Sequence, residues 1–152
     1  MHDTASQGQL SGPARVCLLS QRHAFRDFFR CASYEFEDVV CASDDVELVA
    51  PSAYPFFPAG IKVANRLARH CGIACLNPGV RSVAVPADYD LFFACGLVAR
   101  DLLLLNAVQD WRRHCRTAVC FLAELWAGEI GKWARHLRLL SGFDHVFTSC
   151  QG

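Results

Sequence analysis

The chain has 152 residues, 53% of them hydrophobic and 20% charged, with fifteen basic and fifteen acidic side chains and a formal charge of zero. That length suits one domain able to bury a core, and the composition excludes a disordered chain. The charge balance argues against a dedicated nucleic-acid binder, which carries a basic surplus, so no nucleic-acid partner is expected.

Residues 1–14 are small and polar, and we expect them to form a mobile leader. They lack the basic start and apolar middle of a signal peptide. Arg15-Val-Cys-Leu-Leu-Ser20 is a short apolar run that ends abruptly in polar residues, as a strand buried on both faces does. Phe25, Phe28, Phe29, Ala32 and Phe36 then recur at three- and four-residue spacing and predict an amphipathic helix. Asp44-Asp45 precedes a second strand at 46–50. Pro51, Pro55 and Pro58 break regular structure, and Pro58 is placed to open a helix. Ile61, Ala64, Leu67, Ala68 and Cys71 give that helix a buried stripe, and Gly72 a stop.

Asn77-Pro-Gly79 reads as a turn, with a short strand near an edge at 80–85. Tyr89-Asp-Leu-Phe-Phe-Ala-Cys95 is a strand ending at Gly96. A helix is predicted over 98–114, with Leu102, Leu105, Val108 and Trp111 facing in. Residues 117–122 are the next buried strand. The last helix is predicted over 129–140 on a stripe of Ile130, Trp133, Ala134, Leu137 and Leu140, with Gly142 ending it before a final strand at 144–149. Strands alternating with helices predict an α/β domain over 15–152, a Rossmann-like, doubly wound, mainly parallel sheet with helices on both faces. Ligands in such sheets sit beyond the carboxyl ends of the strands where the winding reverses, which singles out the loops after 15–20 and 89–95.

Several chemistries are missing. Ser20-Gln-Arg-His-Ala-Phe25 follows the first strand without a glycine, so the dinucleotide fingerprint is absent. Neither a phosphate-binding loop with its Gly-Lys-Ser/Thr nor a Gly-x-Ser-x-Gly elbow occurs, and acidic residues do not cluster as in a receiver domain. No cofactor is expected. His70, Cys71, Cys75, His114 and Cys115 invite a zinc reading, but their spacing is irregular and cysteine also serves as a small buried apolar residue, so no metal is expected. An odd nine cysteines without an export signal predict reduced thiols and a cytoplasmic location, with peripheral contact to the inner face of a membrane left open. No apolar run approaches the roughly 20 residues that cross a bilayer.

His23 lies at the expected ligand-facing edge, where an imidazole titrating near neutrality could serve as a general base; an exposed helix-start residue with no chemical role fits the position too. Glu124 and Trp126 follow the strand at 117–122. A carboxylate can bond sugar hydroxyls and an indole can cover a sugar's apolar face; equally, Glu124 caps a helix and Trp126 roofs the core. Phe56, Phe57 and the prolines around them either line the same cleft or fill the core.

Phe121-Leu-Ala-Glu-Leu-Trp-Ala-Gly-Glu-Ile130, the later block His136-Leu-Arg-Leu-Leu-Ser-Gly-Phe-Asp-His-Val-Phe-Thr-Ser149, and Tyr89-Asp-Leu-Phe-Phe together resemble the N-terminal, acceptor-side half of bacterial GT-B-type glycosyltransferases. The resemblance spans roughly 15–152, with the later block carrying most of it. It implies a domain that receives an acceptor (a sugar, a lipid or a small molecule), while a second domain, absent here, binds the nucleotide-sugar donor. Under that reading, position just past the carboxyl ends of strands makes His23 and Glu124 the catalytic candidates, and Gln21, Gly96 and Trp126 the acceptor-binding residues. Ala94-Cys95-Gly96 departs from the family, where many relatives carry a histidine-containing loop. Alone, such a chain is expected to be inactive. The rival reading is a non-catalytic, flavodoxin-like binding or interaction domain.

Overall fold

Five strands form one parallel sheet in the computed structural model, which describes residues 15–25, 30–43 and 45–151. The proposed leader 1–14 and two of the helix-marking phenylalanines, Phe28 and Phe29, lie outside the described residues. In chain order the elements are β1 (Arg15–Leu19), α1 (Cys31–Ser43), β2 (Asp45–Val49), α2 (Phe57–Cys71), β3 (Val83–Ala84), β4 (Tyr89–Val98), β5 (Val108–Gln109), β6 (Cys115–Trp126), α3 (Ile130–Leu137) and β7 (His145–Gln151). The main sheet runs β2-β1-β4-β6-β7, with β3 and β5 pairing separately as a short parallel ladder. The order steps outward from β1 to β2, then reverses through β4 to β7, so the winding switches between β1 and β4. The sequence places its ligand-facing loops at these two strands.

Alternation along the strands sorts side chains onto the two faces. Cys17, Leu19, Phe92, Ala94, Ala118 and Cys120 share one core with Leu102 and Leu105. The opposite face meets α1 through Phe36, whose ring lies 5.9 Å from Phe93 and 6.3 Å from Phe121. Helices therefore flank both faces. A second core lies outside the first, where Phe57, Ile61, Ala64 and Ala68 of α2 pack on Leu103 and Leu104.

That layering explains the main departure from the expected elements. No α-helix covers 98–114: β4 continues to Val98, a 3-10 segment runs over Ala99–Ala107, and β5 and a 3-10 turn at Trp111–His114 follow. Leu102, Leu103, Leu104 and Leu105 are all buried, Leu102 and Leu105 facing the sheet core and Leu103 and Leu104 the α2 core. A segment squeezed between two apolar layers needs no single buried stripe, so helical periodicity loses its meaning there. Trp111 still faces in, stacked between Phe92 at 4.6 Å and Phe143 at 4.8 Å.

The ends of α2 follow local chemistry. Pro58 sits in its first turn, and Gly72 closes it at φ 76°, with the Gly72 N–H bonded to the Leu67 carbonyl. Cys71 belongs to the exposed side instead of the expected stripe. Gly60 allows the helix to touch the Asn77-Pro78-Gly79 turn: a Cβ there would stand 2.4 Å from the Pro78 carbonyl oxygen. In α3 the stripe is also redrawn, with Ile130 and Ala134 exposed and His136 fully buried. Among the described residues, no helix is long and apolar enough to cross a membrane.

Candidate functional site

The turn after β1 divides its residues between a buried lock and an open cleft. The Gln21 side chain points inward, its amide donating to the Cys95 carbonyl at 2.6 Å and its oxygen accepting from Arg30 at 2.5 Å. Arg30 in turn grips Asp101 with two hydrogen bonds, of 2.8 and 2.9 Å. Asp101 also accepts the backbone N–H groups of Leu97 and Val98, which ends β4 and starts the 3-10 segment. The loops after β1 and β4 are thereby tied together across the switch point by buried charge-assisted bonds.

Next to Gln21, Arg22 turns the other way. It bonds Glu37 at 2.8 Å and Asp38 at 2.7 Å and donates to the Tyr34 carbonyl. Burial acts to lower its pKa, but the bonds to the two carboxylates outweigh that and raise it. Ser20 shares the Glu37 carboxylate through a 2.7 Å bond, so α1 is fastened to the end of β1.

His23 follows on the surface, its carbonyl accepting the Ala53 N–H at 3.2 Å. The loop after β2 is held on its far side by bonds from Tyr54 N–H to the Gly79 carbonyl and from Arg81 N–H to the Ser52 carbonyl. Between these loops and the start of α2 opens a cleft of about 1050 Å³. Phe25, Tyr54, Phe57, Pro58 and Ile61 form its apolar walls, and Arg22, His23, Lys62 and Arg100 its polar lining. Among the described residues, no Asp or Glu lines it. A concave, mostly apolar pocket with a few polar groups at the switch point of an α/β sheet is the usual form of a small-molecule site.

Of the five catalytic and acceptor-binding candidates, only His23 reaches this cleft. Gln21 is spent in the buried lock. Gly96 lies inside β4, not beyond it, and is buried where a Cβ would meet the Leu122 side chain at 3.2 Å. Glu124 and Trp126 fall within β6, which runs farther than 117–122. Both are exposed, Glu124 in register with Val98 and Trp126 at the carboxyl end of its strand beside Gln151. They share the sheet's carboxyl edge with the cleft without lining it. The proline-rich stretch divides: Pro55, Phe57 and Pro58 line the cleft, while Phe56 stacks on Tyr54 at 5.3 Å and stays largely exposed. Arg22, Lys62 and Arg100 carry no motif, and proximity to strand and helix ends was the one signal for them.

Cysteine chemistry does not enter the cleft. Burial, with Glu37 and Asp101 nearby, pushes the Cys95 thiol up to about 11, so at neutral pH it is no nucleophile. Among the described residues, no three His, Cys, Asp or Glu side chains converge on a metal-sized site. Compared with known proteins, the chain matches no family model, no curated protein and no solved structure.

Proposed function

We propose that this chain is the acceptor-side domain of a GT-B-type glycosyltransferase, with the cleft at the β1–β4 switch as its acceptor site. The observation that carries the reading is His23, exposed on the rim of a cleft at the carboxyl edge of a doubly wound sheet. The Glu-Leu-Trp and Phe-Asp-His-Val-Phe stretches around β6 and β7 add the resemblance already described. In the reaction, an acceptor hydroxyl forms a bond to the anomeric carbon of a nucleotide-sugar as the bond to the diphosphate breaks. The hydroxyl proton passes to the imidazole of His23, acting as the general base on the cleft rim. Stabilising the departing diphosphate falls to a donor-binding domain, because the cleft's own share is mainly orientation.

The test is sugar transfer from a panel of nucleotide-sugars, using this domain joined to a GT-B donor-binding domain. Turnover that depends on the cleft supports the reading, and none with any donor and acceptor removes it. A second reading, a non-catalytic binding domain, is favoured by the cleft lining itself: among the described residues His23 is its one candidate base and no carboxylate stands beside it. Ligand binding without transfer in the joined protein selects that reading.

A further inference from the structure

Among the described residues the polar lining of the cleft is one-sided in charge, although the chain as a whole is neutral. Of its three permanent cations, Arg22 is neutralised by Glu37 and Asp38. Lys62 and Arg100 are not: among the described residues neither forms an ion pair or a hydrogen bond. Arg100 is half-buried, its Nε is shielded from solvent without an acceptor, and its guanidinium stands 5.8 Å from the Phe25 ring, near the outer limit of a cation–π contact. Shielding the Nε without an acceptor costs hydration that the remote ring contact offsets only in part. Two uncompensated cations at a concave, apolar-walled surface also focus a positive potential into it. The first turn of α2, which forms one wall, contains no acidic residue to cancel that field.

We propose that the ligand of this cleft carries a phosphate monoester, bound between Lys62 and Arg100, with its uncharged body against Tyr54 and Phe57. A phosphate monoester brings a charge of about −1.5 to −2 near neutral pH, which matches two cations, whereas a carboxylate matches one. Arg100 offers a planar fork of donors to phosphate oxygens and Lys62 a mobile point charge. Tyr54, stacked on Phe56 and with the Arg81 guanidinium 5.7 Å from its ring, is held in orientation on the apolar wall against which the sugar body would rest. The inference rests on the cleft being the acceptor site, and it names the acceptor class as phosphorylated. The same group can reach the cleft on a soluble sugar phosphate or on a lipid headgroup.

The experiment is titration calorimetry of the intact chain with glucose 6-phosphate, glucose and glucuronate, alongside flotation with phosphatidylcholine vesicles with and without phosphatidic acid. The expected result is a preference of about tenfold or more for the phosphorylated partner, in solution or on vesicles, that weakens with added salt. Whichever phosphorylated probe binds identifies the source. Lys62→Ala, at an exposed position that leaves the fold untouched, is expected to weaken binding about tenfold, and Arg100→Ala by at least as much. Equal affinity for glucose and glucose 6-phosphate, a preference for glucuronate, or phosphate binding indifferent to both substitutions would overturn the proposal. Phosphate binding with no sugar transfer in the joined protein would remove the transferase and keep the anion site. Transfer to a neutral acceptor, unaffected by glucose 6-phosphate, would do the reverse.

Discussion

Arg30 and Asp101, 71 residues apart in sequence, form a two-pronged ion pair with both side chains essentially removed from solvent. The pair joins the segment after β1 to the segment after β4 directly behind the cleft. Breaking a buried pair leaves one uncompensated charge, at a cost of about 3–5 kcal/mol. Asp101→Ala is therefore expected to destabilise the domain by about that much in urea denaturation. The double replacement Arg30→Met/Asp101→Leu should recover much of the loss. A loss under about 1 kcal/mol for Asp101→Ala would show that the pair contributes no more than an exposed one.

The 3-10 segment makes a separate stability prediction. Leu103 is fully buried under α2, so Leu103→Ala should cost about 2–5 kcal/mol. Cys71→Ser, at the exposed end of α2, should lie within about 0.5 kcal/mol of the parent. Comparable midpoints for the two variants in thermal melts would contradict the two-layer packing.

His136 links stability to pH. It is fully buried with neither ring nitrogen hydrogen-bonded, and burial, reinforced by Arg69, lowers its pKa from the ordinary 6.5. The folded protein thus resists protonation more than the unfolded chain does. Stability from this residue is fully present above 6.5 and drains away as pH falls from there towards the lowered folded value. Melting temperatures measured between about pH 7.5 and pH 5 should fall less steeply in His136→Leu than in the parent. Identical slopes would mean that His136 does not titrate differently on unfolding.

Thiol labelling should separate the cysteines by depth. Cys31, Cys71 and Cys75 are exposed, while burial raises Cys95 to about 11 and Cys17 and Cys120 to about 12. Maleimide at neutral pH is expected to modify the first three within minutes and the other three after denaturation, as read by mass spectrometry.

Catalysis provides the last test. With the donor-binding domain present, His23→Ala is expected to lower turnover by about 10²–10⁴-fold, the usual range for a lost general base. A variant with parental turnover would shift the role to another group, and the exposed Glu124 at the same sheet edge is the next to replace.

β1, β4 and β6 were readable because each contains a short apolar run closed by polar residues, and α2 because proline and glycine mark its ends, whereas β5 fell inside a segment read as helix. The cleft was readable as a place and not as a set of residues. Position after a strand pointed to Gln21, His23, Gly96, Glu124 and Trp126 alike, and one of the five lines it. Lys62 and Arg100 belong to no motif, since a lysine on α2 and an arginine beyond β4 look like ordinary surface charges until the chain is folded.

What the sequence by itself determined was the alternation of strands with helices, and through it the parallel sheet, its two covered faces and the carboxyl edge at which the cleft opens. Only the tertiary structure decided which polar residues line the cleft and which serve the fold. Gln21 and His23 are two residues apart in one turn, yet Arg30 and the Cys95 carbonyl draw Gln21 inward while His23 remains in the cleft. Those partners come from elsewhere in the chain, and a buried amide must find them or forfeit its hydration, so long-range hydrogen bonding set the assignment.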